Sequence, residues 1–369
     1  MNLKKILTVI GTRPEAIKMA PVILALKKEP WANVRVLATA QHRQMLDQVN
    51  QFFGIEPDID LDIMKPNQAL TELTARLLLN LDDVLKNEKP DAVLVQGDTT
   101  TVMTVALACF YHRIPIGHVE AGLRTWDMQN PFPEEANRVI AGKLAQWHFA
   151  PTEGSRENLL KEGIADTDII VTGNTVIDAL LMSAAKDLKL PINIDDNKRL
   201  VLITSHRREN FGEPFRNICK ALLALANNNP DVEFLYPVHP NPNVKNVAYE
   251  FLAGLPNVTL CEPLDYAPFI AVMKRAYLIL TDSGGVQEEA PALGKPVLVL
   301  RDETERPEAI EQGVVKLVGS EPDYIIEQAQ LLLSDEDAYK KMARGVSPYG
   351  DGQAALRIVN VLREYFNKV

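Results

Sequence analysis

The sequence is poor in cysteine. Cys109, Cys219 and Cys261 are widely spaced, form no CxxC motif and have no histidine at zinc-ligand offsets. This spacing supports neither a disulfide framework nor a zinc site, and we expect reduced, mostly buried thiols in a cytoplasmic protein. No metal and no cofactor are predicted.

Long apolar runs and targeting signals are also missing. The run that comes nearest to a membrane span, 102–110, falls short of the required ~18 residues and contains Thr104. The basic pair before segment 6–10 resembles a signal peptide, but this apolar segment is too short for one. We therefore expect no membrane segment and no leader.

Positive charge is not in excess, since 39 Lys and Arg against 49 Asp and Glu give a formal net charge of −10. The broad positive field that non-specific binding to nucleic acid or anionic membrane requires is therefore absent. A few local basic residues can still bind a small anion. Neither a P-loop nor a GxGxxG motif occurs, and no hydrolase triad pattern is present, which argues against nucleotide hydrolysis and tight dinucleotide binding.

Short apolar β-rich runs alternate with helical stretches from end to end, which is the rhythm of doubly wound α/β domains. The rhythm restarts at Arg199 after the polar segment 188–198. A length of 369 residues favours two domains. We predict an N-terminal domain 1–175, a C-terminal domain 176–350 and a terminal helix 351–369.

Polar clusters follow many of the predicted strands, and ligands of open α/β sheets gather at these carboxyl ends. In the C-terminal half, Ser283, Gly284 and Gly285 can form a phosphate cradle, with Ser283 capping the next helix. Glu288 or Glu289 can then accept hydrogen bonds from ribose hydroxyls. A plain capped helix with surface acids is the alternative.

A short repeat, Arg-Pro-Glu-Ala-Ile, occurs at 13–17 and 306–310. Pro suits the first helical position and Glu the first turn, so each Arg stands just ahead of a helix start. The repeat is either two guanidinium groups aimed at one anion or a coincidence of good helix-start residues.

Acid and base candidates stand out in both halves. Asp98 and Glu120 follow strands, and Glu134 lies in the segment NPFPEEANR. Carboxylates in an apolar cleft can act as general acid or base, although each could equally be a capping or ion-pair group. His206 follows a strand beside two arginines and can donate to a phosphate oxygen.

Eleven motifs now carry a resemblance that spans nearly the whole chain. They are GTRPEAIKMAP, TAQHRQMLDQ, QGDTTT, GHVEAGLRT, PFPEEANR, TGNTVIDAL, TSHRRENFG, YPVHPNPNV, LTDSGGVQEEAP, GKPVLVLRDETERPE and PYGDGQA. Together they resemble the bacterial non-hydrolysing UDP-N-acetylglucosamine 2-epimerases. The resemblance implies α/β architecture with two Rossmann-like doubly wound parallel-sheet domains in a GT-B arrangement, an active site in the interdomain cleft, and a terminal helix that packs back on the N-terminal domain.

The resemblance also implies an activity, the reversible conversion of UDP-GlcNAc to UDP-ManNAc. UDP would leave to give 2-acetamidoglucal and then add back, which supplies precursors for surface polysaccharide. Asp98, Glu120 and Glu134 would be the sugar-side acid/base group, and His206 would assist the departing diphosphate. The implied contacts to UDP are Arg13, Lys18, Ser283, Gly284, Gly285 and Arg306 on phosphate, Glu289 on ribose and Phe269 at uracil.

Some relatives are activated by a second UDP-GlcNAc molecule, and Gln41, Gln44, Arg207 and His239 match positions used there. Asn67 replaces an Arg found in some regulated members, so substrate activation stays open. Leu264 stands where some relatives carry Gln, a change that is harmless if only its backbone reads uracil. A homodimer is expected. The alternatives are a hydrolysing 2-epimerase that releases ManNAc, a GT-B glycosyltransferase and a non-catalytic nucleotide-sugar sensor.

Overall fold

The computed structural model describes residues 3–39, 43–63, 68–304 and 306–368. It divides into two compact units, which we call the N-terminal unit (Met1–Ala179 with Tyr349–Val369) and the C-terminal unit (Leu180–Pro348). The chain leaves the N-terminal unit within a helix, Thr175–Ala184, and returns at Tyr349.

The N-terminal unit contains a seven-stranded parallel sheet with the order β3-β2-β1-β4-β5-β6-β7. Its strands are β1 (Lys4–Ile10), β2 (Ala32–Ala38), β3 (Ile59–Asp60), β4 (Ala92–Gln96), β5 (Ile116–Val119), β6 (Trp147–Ala150) and β7 (Ile169–Val171). Its helices, numbered along the whole chain, are α1 (Arg13–Leu26), α2 (Arg43–Phe53), α3 (Leu70–Glu88), α4 (Thr100–His112), α5 (Glu134–Leu144), α6 (Glu153–Lys161), the start of α7 (Thr175–Ala184), and α15 (Ala354–Lys368).

The C-terminal unit contains a six-stranded parallel sheet with the order β10-β9-β8-β11-β12-β13. Its strands are β8 (Arg199–Thr204), β9 (Val232–Pro237), β10 (Val258–Cys261), β11 (Leu278–Thr281), β12 (Val297–Val299) and β13 (Val315–Leu317). Its helices are α8 (Glu213–Asn228), α9 (Pro242–Leu252), α10 (Tyr266–Arg275), α11 (Gly284–Glu289), α12 (Pro307–Glu311), α13 (Pro322–Ser334) and α14 (Glu336–Met342).

The predicted doubly wound α/β architecture is confirmed in both units. Central strands such as β4 and β11 are buried along their whole length, because helices cover both faces of each sheet. The sequence pattern missed only one strand among the described residues, β3. Its two residues, Ile59 and Asp60, are too few to show any hydrophobic period.

Each sheet has one point at which the strand order reverses. It lies between β1 and β4 in the N-terminal unit and between β8 and β11 in the C-terminal unit. Loops leave such a reversal in opposite directions and open a crevice beyond the carboxyl ends of the strands, where open α/β sheets bind ligands. The segments that follow these four strands are therefore the places to look for a functional site.

The terminal helix α15 packs on α1 of the N-terminal unit. Tyr365 lies edge-on to Trp147, with ring centroids 4.9 Å apart, and Phe366 lies 6.0 Å from Trp31. These aromatic contacts hold α15 against the N-terminal unit. Within the described ranges, no helix has the length and apolar character that crossing a membrane demands.

Candidate active site

Asp98 lies in the loop after β4 and is anchored from α5. Arg138 Nη2 is 2.5 Å from Asp98 Oδ2, and Asn137 Nδ2 donates to the Asp98 carbonyl oxygen at 2.9 Å. Burial raises the pKa of Asp98, and the charge of Glu120 raises it further, while Arg138 opposes both effects. The pKa of Asp98 is thus raised above that of an ordinary aspartate.

Glu120 follows β5 and is held by three donors from three different elements. Lys18 Nζ lies 2.6 and 2.8 Å from its two carboxylate oxygens, Asn174 Nδ2 donates at 2.9 Å, and Gln96 Nε2 donates to Oε2. The residue has a left-handed φ of 64°, which is uncommon outside glycine, and its side chain is only 8% exposed. A carboxylate that accepts from an ammonium and two amides is stabilised as the anion.

Lys18, on α1, lies beside the carboxylate that follows β5. The sequence resemblance implies a phosphate contact for Lys18, and its ammonium lies 2.6 Å from Glu120 Oε1. An ion pair at 2.6 Å between two largely buried groups uses the lysine's charge locally. Its implied contact to phosphate stays a prediction.

A buried glutamate shapes the turn that carries Arg13. Glu15 accepts hydrogen bonds from Gly11 N at 2.5 Å, Thr12 N at 2.8 Å and Thr99 Oγ1 at 2.5 Å. With Thr12 it forms a capping box, and its burial raises its pKa. The half-exposed Arg13 side chain makes no hydrogen bond or ion pair within the described residues, so its guanidinium is available to an anion.

The two glutamates of the PFPEEANR segment differ sharply. Glu135 is buried, accepts from Thr125 N and Trp126 N at 3.1 and 3.0 Å, and lies 3.2 Å from Arg138. It therefore fixes a loop. Glu134, the predicted acid, is the first residue of α5, is partly exposed and has no hydrogen-bond or ion-pair partner in the part of the chain that is described.

Two buried histidines lie side by side behind the Asp98 loop. His118 of β5 and His148 of β6 are register partners, and His118 Nε2 is 2.7 Å from the Gly97 carbonyl oxygen. Burial lowers the pKa of each imidazole to about 4. A neutral His118 with its proton on Nε2 can donate to Gly97 and so hold the residue that precedes Asp98.

In the C-terminal unit, the fully buried Asp282 organises the loop after β8. Its carboxylate accepts from Ser205 Oγ at 2.8 Å, from the backbone N–H groups of His206 and Arg207 at 2.8 and 2.9 Å, and from Asn210 Nδ2 at 3.1 Å. One carboxylate at the end of β11 thus fixes the neighbouring strand's loop, which carries the predicted His206.

Residues with two different predicted roles come together at this loop and the loop after β9. The rings of His206 and His239 stack with centroids 5.5 Å apart, and Arg207 adjoins them in sequence. Burial lowers the pKa of His206, Asp282 opposes this, and His239 and Arg207 lower it further. The structure therefore places two residues of the implied second-ligand set, Arg207 and His239, with the implied catalytic histidine.

The glycine turn after β11 lies under a guanidinium. A Cβ atom on Gly284 would come within 2.6 Å of Arg306 Nη1, so only glycine allows this approach. Arg306 also lies 2.5 Å from Glu288 Oε1, which assigns that glutamate to an ion pair. Ser283 occupies the N-cap position of α11, but its side chain makes no cap hydrogen bond, contrary to our expectation.

The two copies of the Arg-Pro-Glu-Ala-Ile repeat occupy different positions at the start of their helices. Arg13 is the first residue of α1, whose cap is Thr12, whereas Arg306 is itself the cap residue of α12. The glutamate of the first copy, Glu15, completes a capping box, and no side-chain cap bond is formed at Arg306. Both copies nevertheless begin a helix beside a candidate site.

The remaining predicted residues are only partly placed. Glu289 ends α11 and Phe269 lies in α10, both half-buried, and Leu264 is in the turn before α10. Gln41 and Asn67 lie outside the described residues, and of Gln44 only the backbone is described. Where residues are described, no group of three or more His, Cys, Asp or Glu side chains could hold a metal ion.

Several site residues were missed by the sequence reasoning. Gln96, Asn174 and Arg138 contact the candidate carboxylates directly, and Asp282 anchors the His206 loop. All four lie in motifs quoted above; Gln96, Asn174 and Asp282 lie at or just after strand ends, and Arg138 lies in α5. The position after a strand could have marked the first three, whereas an arginine within a helix carries no distinctive signal.

The two units define a class: an α/β protein of two parallel-sheet units, each with polar clusters at the carboxyl ends of its strands. Carboxylates lie there in the N-terminal unit, and a His, Arg and Gly cluster lies there in the C-terminal unit.

The comparisons with known proteins narrow this class to one family. The sequence profile of the UDP-N-acetylglucosamine 2-epimerases matches residues 24–363. The UDP-N-acetylglucosamine 2-epimerase of Escherichia coli strain K12 is 55% identical to this chain over 369 residues, which cover 97% of this chain and 98% of the relative. The UDP-N-acetylglucosamine 2-epimerase of Yersinia pestis is 54% identical over 371 residues, which cover 98% of this chain and 99% of the relative. The crystal structure of the Neisseria meningitidis UDP-GlcNAc 2-epimerase bound to UDP-GlcNAc is 53% identical, with a TM-score of 0.87 and coverage of 98% of this chain and 100% of that one. The chain belongs to the UDP-N-acetylglucosamine 2-epimerase family.

Proposed function

We propose that the protein interconverts UDP-N-acetylglucosamine and UDP-N-acetylmannosamine by eliminating and re-adding UDP. Family membership supports the reaction. The observation that carries the mechanism is the contrast between two carboxyl groups, because burial raises the pKa of Asp98 while Lys18 and two amides stabilise Glu120 as an anion.

The chemistry requires such a pair. Carbon 2 of the sugar has no adjacent carbonyl, so its proton leaves only as the bond from carbon 1 to the UDP oxygen breaks. The C2–H electron pair becomes the C1=C2 double bond of 2-acetamidoglucal, and UDP departs with the pair of the broken bond. Re-addition from UDP then closes the C1–O bond while a proton arrives on the other face of C2.

The carboxyl groups fit the two proton transfers. Glu120, as an anion, accepts the C2 proton of UDP-GlcNAc, and Asp98, as an acid, delivers a proton to the opposite face of the glycal. In the reverse direction the roles exchange, as microscopic reversibility demands. Glu134, partly exposed at the start of α5, completes the sugar-side group.

The diphosphate must be retained while the sugar is unsaturated. Arg306 over Gly284 and the available Arg13 supply charge for its phosphates, together with Ser283 and Gly285. His206 donates a proton or hydrogen bond to the departing oxygen, Glu289 accepts from the ribose and Phe269 packs against uracil. Arg207 and His239 belong to a second, activating UDP-GlcNAc site in this proposal, as do Gln41 and Gln44.

One experiment separates this function from its alternatives. The protein is incubated with UDP-GlcNAc in deuterated water, and C2 is followed by NMR. Deuterium at C2 with UDP-ManNAc formed supports epimerisation, free ManNAc supports a hydrolysing enzyme, and unchanged substrate contradicts both. Asp98→Asn and Glu120→Gln should still bind UDP and lose exchange; near-native exchange in either variant would remove that residue from the mechanism.

We also propose a homodimer. Leu79 on α3 and Phe110 and Tyr111 on α4 are 73%, 58% and 69% exposed, on helices that pack against each other. Exposed apolar side chains on adjacent helices favour a protein contact. Leu79→Glu should lower the mass measured by analytical ultracentrifugation, whereas Leu331→Glu, on α13, should not.

A cytoplasmic location completes the proposal. The three cysteines are unpaired thiols, and burial raises the pKa of Cys109 and Cys219 to about 12. Proteins of reducing compartments keep such thiols. The product would there supply precursors for surface polysaccharide, and cell fractionation with an antibody against the protein tests the location.

A further inference from the structure

The Glu120 carboxylate accepts a hydrogen bond from Asn174, a residue that has no role in the mechanism proposed above. Asn174 lies between β7 and α7, is buried and donates from Nδ2 to Glu120 Oε1 at 2.9 Å. The other two donors, Lys18 and Gln96, come from α1 and β4. Asn174 is thus the only one of the three that belongs to the segment through which the chain leaves the N-terminal unit.

The side chain and backbone of Asn174 are fixed from several sides. Its Oδ1 accepts from Val176 N at 3.1 Å, at the start of α7, which leaves the amide nitrogen pointing at Glu120. Its own backbone N–H donates to the Tyr349 carbonyl oxygen at 2.6 Å. Tyr349 is the first residue of the returning chain. Asn174 therefore links the segment through which the chain leaves the N-terminal unit to the segment through which it returns.

These two passages, which we call the crossing segments (172–178 and 349–357), are bound to each other. Asp178 accepts from Ala354 N at 3.2 Å and Ala355 N at 2.8 Å, and Arg357 Nη1 donates to the Thr172 carbonyl oxygen at 2.9 Å. Gly173 has a φ of 86°, and a Cβ there would lie 3.2 Å from Gly350 Cα. The crossing segments therefore form one fastened element, with Asn174 at its contact with Glu120.

We propose that Asn174 is a positioning residue that sets the orientation of the Glu120 carboxylate and ties it to the crossing segments. The inference rests on the proposed function, in which Glu120 accepts the C2 proton. An amide orients a carboxylate without adding charge, so Lys18 supplies the charge and Asn174 the direction. A base displaced by a fraction of an ångström loses rate while ground-state binding of the substrate is kept.

Two variants of Asn174 separate orientation from folding. Asn174→Asp keeps an acceptor for Val176 N but replaces the donor to Glu120 with a second carboxylate. Asn174→Ser keeps a good helix cap and is too short to reach Glu120. Thr152→Ala is the matched control, because Thr152 caps α6 of the same unit and does not contact Glu120.

Rates, binding and pH profiles are measured for the full-length proteins. Both Asn174 variants should lower kcat and C2 deuterium exchange by about 10-fold or more, with KM and the Kd for UDP within about twofold. In Asn174→Asp the acidic limb of the kcat profile should move to higher pH by about one unit, because the neighbouring carboxylate opposes ionisation of Glu120. Thr152→Ala should lower Tm by about 3 °C and keep kcat within about twofold.

The outcomes distinguish this inference from the proposed function. If the wild-type protein exchanges no deuterium, the proposed function fails. If the wild type exchanges and Asn174→Asp retains kcat within about twofold with an unmoved acidic limb, the positioning role is wrong. The role is also wrong if Thr152→Ala loses as much kcat as Asn174→Ser, since loss of a helix cap alone would then explain the effect.

Discussion

The buried histidine pair makes the protein sensitive to mild acid. His118 and His148 are each 1% exposed, and burial lowers their pKa from the ordinary 6.5 to about 4. Between these two pH values each histidine binds a proton in the unfolded chain but not in the folded chain. The free energy of unfolding therefore decreases as the pH falls from about 6.5 to about 4. At pH 5 a single histidine with this shift costs about 2 kcal/mol, and the pair costs about 4 kcal/mol, a large fraction of a typical folding free energy.

The assay is chemical unfolding of the wild type and of His148→Phe at pH 7.5 and pH 5. His148→Phe removes one titrating group from a buried site and keeps an aromatic ring there. Its stability loss between the two pH values should be smaller than that of the wild type by about 2 kcal/mol. In ring-resonance NMR titrations, His118 and His148 should stay neutral at pH 5. An unchanged pH dependence in His148→Phe, or six histidines protonated at pH 5 in the folded protein, would refute the reasoning.

Three further predictions concern the C-terminal unit. Gly284→Ala should weaken UDP binding by about 10-fold or more in calorimetry, because the new methyl group displaces Arg306. Gly285→Ala is the control, and it should weaken UDP binding less because its Cβ meets nothing closer than 3.5 Å. Equal losses of UDP affinity would contradict the role of Arg306. Binding of UDP should raise the lowered pKa of His206 in an NMR titration, and an unmoved pKa would separate this histidine from the diphosphate. Asp282→Asn should destabilise the protein by about 2–4 kcal/mol in thermal unfolding, because a neutral amide with one acceptor oxygen and an NH2 donor replaces the carboxylate that the His206 loop donates to. Ser205→Ala, which removes one donor, should cost about 1 kcal/mol, and similar costs would show that the carboxylate does not act as a common anchor.

The fold was largely readable from the sequence because buried parallel strands are continuously apolar. The strands ending at Gln96 and Thr281 are of this kind. The strand Ile59–Asp60 was not readable, since two residues carry no period. Helix α12 spans only five residues, and its beginning was marked by Pro307 rather than by an amphipathic pattern.

The candidate site was readable only in part. Charged residues after strands pointed to Asp98, Glu120 and His206, but the sequence could not say which cation would neutralise which anion. Lys18 illustrates the difficulty, because it and Glu120 are 102 residues apart and meet only once β1 and β5 lie in one sheet. Partner choice is decided by tertiary packing, which no local pattern encodes.

The aromatic contacts of the terminal helix have a practical consequence for spectroscopy. All three tryptophans of the chain, Trp31, Trp126 and Trp147, belong to the N-terminal unit, and two of them lie against α15. Tryptophan emission therefore reports on the N-terminal unit alone, because the C-terminal unit contains no tryptophan. Comparing emission with far-ultraviolet circular dichroism during unfolding will thus show, without any added label, whether the two halves melt together.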